Sequence, residues 1–158
     1  EGPVHLAVHQ ASGAPRLGGD GRLLAVQTYP MALRAPLGTC RDMVREGDTL
    51  RCGPFELTLP IEVFGEDYEV TLTQTRIELT FPTDGSDPTL LVGGAVPIAD
   101  IERVADTVSE DDDLGGIIKA VVPGFADVLG GPDEECNAIS AVAVGTLRPG
   151  FAIAPREE

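Results

Sequence analysis

A strict alternation of apolar and polar residues over residues 55–72 constrains the fold of this chain more than any other feature. The odd-numbered residues from Phe55 to Val63 are apolar, and most residues between them are polar. The turn sequence FGED follows, and the apolar positions are then even-numbered from Tyr68 to Leu72. Because successive side chains of a strand point to opposite faces, this pattern predicts a β-hairpin with one buried face.

The return strand of this hairpin contains a break in the alternation. Its apolar residues are even-numbered through Leu72 and odd-numbered from Ile77 to Phe81, and four polar residues separate the two sets. A strand with a side-chain period of two cannot place both sets on one face. The break predicts either a bulge near Gln74 or a strand that leaves one sheet and joins another.

Shorter patterns flank the hairpin. A first strand is expected at residues 4–8 and a second at residues 22–29, with turn-rich segments between them. Residues 90–97 (LLVGGAVP) indicate a short buried strand. Apolar residues at helical spacing then predict one helix that begins at Pro97 and a second from residue 114, which Pro123 bends or breaks. The final segment, AISAVAVGTLRPGFAIA, predicts one or two strands of small residues.

The number and order of these elements favour a mainly β fold. We count six to eight strands and two or three short helices, without a repeating βαβ order. An antiparallel β-sandwich with the helices inserted near residues 97–130 fits this order best. At 158 residues the chain is expected to form a single β-rich domain, residues 1–158.

The charge of the chain excludes some partners. It has 26 acidic and 11 basic residues, which give a net charge of −15. Such a surface repels phosphate backbones, so we expect no nucleic-acid binding. No apolar run approaches the roughly 20 residues of a membrane-spanning helix, so we expect no membrane insertion of this chain. The expected partner is another protein or a surface, and a homo-oligomer is left open.

The three cysteines indicate an exported protein. Cys40 and Cys52 bracket a short polar stretch that a disulfide would close, although either could instead pair with Cys136. No CxxC spacing indicates structural zinc. We expect the Cys40–Cys52 disulfide, a buried thiol at Cys136, and a periplasmic, outer-membrane surface or extracellular location. The first residues carry no signal-peptide or lipid-attachment pattern, so these were removed or the sequence belongs to a longer chain.

The aspartates of DDDLGG are weak candidates for a metal site. A calcium loop that begins at Asp111 would place Asp113 at its third position but Val122 at its twelfth, where a bidentate glutamate is required. We therefore expect no cofactor and no metal, with a weak calcium site at Asp111 and Asp113 as the alternative. A surface run of negative charge before a helix is the favoured interpretation. Asp84, Asp87 and the run PDEE at residues 132–135 are interpreted in the same way.

The histidines and glutamates do not indicate catalysis. His5 and His9 would stand about 13 Å apart on a strand, too far to share one metal ion, so we expect exposed surface histidines. A carboxylate pair for glycoside chemistry would have to come from the strand faces, but alternating Glu and Thr is typical of a solvated face. Its candidates are Glu56, Glu62, Glu69 and Glu78. No nucleophile motif occurs, so we expect no catalytic residues.

Three segments together resemble a known family. They are CGPFELTLPIEVFGEDYEVTLTQTRIELTF, LLVGGAVPIADIERV and ECNAISAVAVGTL, which span roughly residues 50–147. In the same order, they are similar to segments of the acidic secreted lipoproteins of unknown function from myxobacteria. The resemblance implies an exported β-rich domain and supplies no catalytic residue. The family's upstream aspartate-rich segment and lipidated cysteine have no counterpart in this sequence.

These features lead to two functional hypotheses. The first is an exported, non-enzymatic cell-surface domain that acts as a binding or structural module. The alternative is a subunit of an extracellular multi-chain assembly, held together by pairing of edge strands.

Overall fold

The computed structural model describes residues 3–32, 35–63, 65–108, 114–129 and 135–154. These residues form nine strands, two α-helices and one 3₁₀ helix. The strands are β1 (Val4–Val8), β2 (Gln27–Pro30), β3 (Gly38–Glu46), β4 (Thr49–Val63), β5 (Glu66–Thr80), β6 (Thr89–Pro97), β7 (Val128–Leu129), β8 (Cys136–Thr146) and β9 (Gly150–Ile153). The helices are α1 (Ile98–Val108), α2 (Leu114–Val121) and the 3₁₀ helix Val122–Phe125.

The strands confirm the predicted mainly β fold. Seven of them form one sheet in the order β1-β3-β4-β5-β6-β8-β7, and β2 and β9 form a small second sheet. The pairs β1–β3, β3–β4 and β7–β8 are antiparallel, whereas β2 and β9 run parallel. A sandwich is not confirmed, since the second sheet consists of only two four-residue strands.

The chain divides into two compact units. The first comprises Glu1–Gly53, Ile77–Leu91 and Val144–Glu158, and the second comprises Pro54–Arg76 and Val92–Ala143. The strands β4, β5, β6 and β8 contribute residues to both units. The single-domain organisation expected from the sequence stays a prediction.

The long hairpin β4–β5 confirms the alternation predicted from the sequence. In the second unit Leu57 and Leu72 are buried, while Glu56 and Glu69 are exposed. The hydroxyl oxygens of Thr58 and Thr71 lie 3.1 Å apart on the opposite face. One apolar position departs from the pattern: Phe81, the last of the odd-numbered set, lies just beyond β5 and is 43% exposed.

The break in β5 is a local irregularity at the predicted position. Gln74 has a φ of 52°, in the left-handed region that non-glycine residues rarely adopt. Thr75 follows it and is fully buried, and its hydroxyl donates a 2.9 Å hydrogen bond to the carbonyl of Leu72. From Thr75 onward the buried positions are odd-numbered, as Ile77 and Leu79 show. An extra residue at Gln74 thus resets the phase within a continuous strand, which is how a β-bulge acts.

The partner strand β4 changes phase as well, which the sequence did not indicate. Cys52 is buried at an even position and Leu57 at an odd one, and Gly53 between them has a φ of 124°. An extra residue in one strand of a pair turns its later side chains to the opposite face, so a phase change in both strands lets apolar residues stay on the buried face.

The helices lie in the predicted region. Pro97 is the last residue of β6 rather than the first of α1, so the helix begins one residue later than predicted. Two hydrogen bonds connect α1 to β5. Asp100 Oδ2 accepts the backbone N–H of Thr71 at 3.1 Å, and Arg103 Nη2 donates to the carbonyl of Glu69 at 2.7 Å. α2 ends before Pro123, as expected. Within the described residues, no helix has the length and apolarity needed to cross a membrane.

Several short elements differ from the prediction. The polar stretch between the two cysteines is a hairpin of β3 and β4 with Gly47 and Asp48 at its turn, where Gly47 has a φ of 64°. Strand β2 covers only residues 27–30, because residues 16–24 form a separate loop held by hydrogen bonds to the Gln27 side chain. The two-residue strand β7 was not predicted.

The predicted disulfide is present. Cys40 and Cys52 are both buried in the first unit, are bonded to each other, and have Cα atoms 6.2 Å apart. Cys40 also faces Leu6 in the β1–β3 pairing, so the disulfide anchors three neighbouring strands. Cys136 is a free cysteine, but it is exposed rather than buried as expected, because it opens β8 next to the exposed residue Glu135.

A larger residue in place of Gly94 on β6 is expected to destabilise the second unit. A Cβ at this position would lie 3.2 Å from the Thr73 carbonyl, 3.2 Å from Thr75 Oγ1 and 3.3 Å from Leu72 Cβ, so β6 approaches the bulge closely. We expect Gly94→Ala to lower the free energy of unfolding by about 1–3 kcal/mol in urea titrations. Gly93→Ala is the matched control, since its Cβ would meet its nearest neighbours only at 3.8 and 3.9 Å. Equal losses from the two substitutions would contradict the close approach.

Opening the disulfide is expected to destabilise the first unit. The bridge closes a loop with a sequence separation of 12, for which chain entropy gives about 3 kcal/mol. Urea unfolding with and without a phosphine reductant measures this difference. Cys136→Ser is the control and should leave the oxidised chain unchanged, because that thiol is exposed. Equal stability of the reduced and oxidised chains would show that the bridge constrains little.

Candidate ligand-binding pocket

Three distant segments of the first unit form a pocket of about 320 Å³. We call it the His9 pocket. Its volume falls in the range of small-molecule sites. The described lining residues are His9, Gln10, Ala11, Tyr29, Pro30, Met31, Arg148, Gly150, Phe151 and Ala152.

Backbone hydrogen bonds hold these segments together. Strands β2 and β9 pair in parallel, with Tyr29 opposite Ala152, and the Met31 N–H donates to the Ile153 carbonyl at 2.9 Å. On the other side of β2, Ala32 N–H donates to the Gln10 carbonyl at 2.8 Å. The central segment is therefore bonded on both sides, which makes the pocket wall a small piece of sheet rather than a loose loop.

Gly150 allows one side of the pocket to close tightly. A Cβ at Gly150 would lie 3.0 Å from Cε2 of Tyr29 and 3.1 Å from the Gln27 carbonyl. The tyrosine ring therefore rests directly on the backbone of β9. A larger residue at position 150 would displace the ring from the pocket wall.

Two basic side chains line the pocket. The Nδ1 atom of His9 is buried and has no hydrogen-bond partner within the described part of the chain. Arg148 is half-buried and donates from Nη1 to Oδ1 of Asp87 at 2.6 Å. Asp87 is not among the described lining residues, and none of those residues is acidic. The chain has more than twice as many acidic as basic residues, so the pocket differs in charge from the rest of the molecule.

The position of His9 corrects a prediction. Both histidines were expected to be exposed, and His5 in β1 is exposed. His9 lies one residue beyond β1 and is half-buried, because the chain there turns towards β2 and leaves the strand pattern. The alternation of apolar residues in the sequence ends at Val8, so His9 need not lie on the exposed face of β1 with His5.

A second cavity in the first unit is larger than the His9 pocket, but its polar groups bond to one another. It has a volume of about 650 Å³ and is lined by Val4, Arg45, Gly47, Asp48, Leu50, Phe81 and Thr83. Its polar groups bond locally: Arg45 Nε donates to the Gly47 carbonyl at 3.0 Å, and the Asp48 carbonyl accepts from Phe81 N–H at 2.9 Å. These groups hold the β3–β4 turn together rather than face a ligand.

The glutamates of the long hairpin do not converge on a site. Glu78 lies in the first unit and accepts a 2.8 Å hydrogen bond from Arg51 Nε, and Arg51 also contacts Glu46. The hydrogen bond with Glu78 is the main cause that raises the pKa of Arg51, followed by the charges of Glu46 and Glu78. Glu56, Glu62 and Glu69 are exposed positions of the second unit.

The aspartates considered as metal ligands have other partners or lie outside the described residues. Asp84 accepts hydrogen bonds from the backbone and hydroxyl of Ser86, at 2.9 and 2.7 Å, which lower its pKa. Asp87 binds Arg148. Asp111, Asp113 and residues 132–134 are outside the described residues. Among the residues that the structure does describe, no three His, Cys, Asp or Glu side chains come together as a metal site.

Outside the pocket, Asp127 of the second unit bonds twice to Ser140. Its carboxylate accepts the Ser140 hydroxyl at 2.5 Å and the Ser140 N–H at 2.7 Å. These bonds lower the pKa of Asp127, because they favour the ionised form. They join the start of β7 to β8 and are structural.

Comparison of the chain with protein-family models, with curated proteins and with solved structures found no match. The interpretation of the His9 pocket therefore rests on its geometry and on the chemistry of its side chains.

Proposed function

We propose that this chain is an exported, non-enzymatic domain that acts as a binding or structural module at the cell surface. The His9 pocket is the observation that carries the proposal. It combines apolar and aromatic walls with a few polar groups, the composition typical of ligand sites. His9 and Arg148 supply the polar side chains that could orient a ligand in it.

The disulfide and the net charge support the exported location. Disulfides such as Cys40–Cys52 persist in oxidising compartments and are rare in reducing ones. A net charge of −15 keeps a surface-exposed domain soluble. The resemblance to acidic secreted lipoproteins favours the same location, which we place in the periplasm, at the outer-membrane surface or outside the cell.

The alternative is a subunit of an extracellular assembly, and strand β9 favours it. β9 is an edge strand of the two-stranded sheet, and its four residues are all exposed, with Phe151 at 62% and Ile153 at 54%. The carbonyls of Pro149 and Ile153 face β2, so the N–H of Ala152 points to the opposite edge. An exposed apolar edge of this kind is a template for a further strand.

The exported location predicts a labelling pattern for the three cysteines. A membrane-impermeant maleimide applied to intact cells should modify Cys136, which is exposed, but not Cys40 or Cys52 until a reductant is added. Mass spectrometry of the purified chain measures the modification at each cysteine. Cys136→Ser is the control and should remove the signal. Labelling of Cys136 only after cell lysis would contradict a surface location, and free Cys40 and Cys52 in lysates would contradict export.

The assembly alternative predicts that a proline at position 152 reduces oligomer formation. Ala152→Pro removes the outward N–H while leaving the bonds to β2, so a second copy can no longer pair along this edge. Light scattering coupled to size exclusion should show a concentration-dependent oligomer for the native chain, strengthened by salt because screening weakens the repulsion between acidic copies. Ala152→Val keeps the N–H and is the control. A native chain that stays monomeric at every concentration and salt level would rule out self-assembly through β9.

A further inference from the structure

We infer that the His9 pocket takes a small molecule that carries a carboxylate on an apolar body. This inference rests on the proposed binding function and names the chemical class of the ligand. Three observations carry it: the charge of the lining, the donors of Arg148 and His9, and the aromatic and aliphatic walls.

The charge of the lining selects against cations and favours anions. The chain has 26 acidic residues, yet the described lining contains none of them and contains one arginine and one histidine. The carboxylate of Asp87, which is not a lining residue, binds the guanidinium of Arg148 on one side. The described lining therefore offers a cation no carboxylate ligand, whereas it offers an anion the remaining N–H groups of Arg148.

Arg148 retains donors for a second carboxylate. A guanidinium has five N–H groups in a planar fork, and the bond to Asp87 uses one of them on Nη1. No other side-chain hydrogen bond of Arg148 to a described residue is present. Arginine pairs with carboxylates through two parallel hydrogen bonds, and charge-assisted bonds of this kind are roughly twice as strong as neutral ones.

His9 supplies a second polar contact. His9 is a lining residue of the pocket, and an imidazole N–H donates to a carboxylate oxygen. A carboxylate within reach of Arg148 and His9 would bond to both side chains.

The remaining walls define the rest of the ligand. Tyr29 and Phe151 provide aromatic surface, and Pro30, Met31 and Ala152 provide aliphatic surface. Methionine adapts its shape to apolar partners, and aromatic rings stack on flat ones. The volume of about 320 Å³ lies at the lower end for ligand pockets, which indicates a small apolar body rather than a polymer.

A titration with matched probes tests the inference. Phenylacetate, its neutral amide phenylacetamide and the cation phenethylamine share an apolar ring and differ in charge. Each is added to the ¹⁵N-labelled chain, and amide chemical shifts are followed by NMR. We expect saturable shifts from phenylacetate at residues 9–11, 29, 31, 148 and 150–152, and binding of phenylacetamide at least about tenfold weaker, the loss expected when one charge-assisted contact is removed.

Two pairs of variants test which side chains bind the probe. His9→Ala should weaken phenylacetate binding by about tenfold, whereas His5→Ala, a histidine on the exposed face of β1, should leave it unchanged. Arg148→Gln should weaken binding by at least about tenfold. Asp87→Asn removes the partner of Arg148 but keeps the guanidinium, so its binding should be retained or strengthened. If Arg148→Gln fails to fold, the two histidine variants still test the pocket.

The outcomes separate this inference from the proposed function. Equal binding of phenylacetate and phenylacetamide, or tighter binding of phenethylamine, would overturn the carboxylate class and leave a binding pocket in place. Unchanged binding in His9→Ala and Arg148→Gln, or a loss in Asp87→Asn as large as in Arg148→Gln, would also overturn it. Shifts from none of the three probes at pocket residues would overturn both the ligand class and the binding function of this pocket.

Discussion

The matched phase change of β4 and β5 is the constraint on which the rest of the structure depends. Strands bury every second residue, so one extra residue in a single strand turns all later side chains to the opposite face. Here β5 changes phase at Gln74 and β4 changes phase at Gly53. Each half of the hairpin can therefore bury its apolar residues. The strand β6 beside it accepts the distortion because Gly94 carries no side chain.

The sequence predicted the long elements well for a physical reason. A strand that is buried on one face over many residues must alternate, so the hairpin and the phase break of β5 were readable from the positions of Leu72 and Ile77. The break in β4 was not readable, since the residues before Gly53 are too few and too polar to establish a phase. The strand β3 was missed because Gly38 and Cys40 are its only buried residues, and a strand with an exposed remainder has the composition of a loop.

The candidate site could not be predicted from local patterns. The His9 pocket combines residues near the beginning of the sequence with residues near its end, and the β2–β9 pairing that joins them is parallel and short. Such a pairing leaves no periodic signal, because four residues hold only two alternations. The net charge did not indicate the lining either: the chain has 26 acidic residues, whereas the described lining holds one arginine, one histidine and no acidic residue.

The parallel pairing of β2 with β9 also has a consequence for the order of folding. The two strands are separated by most of the sequence, so closing the chain between them has a large entropic cost that only other contacts can offset. During synthesis β2 emerges well before β9 and must wait for it before its second edge is covered. Contacts between such distant segments form slowly. A newly made chain can thus complete its long hairpin while the walls of the His9 pocket are still apart.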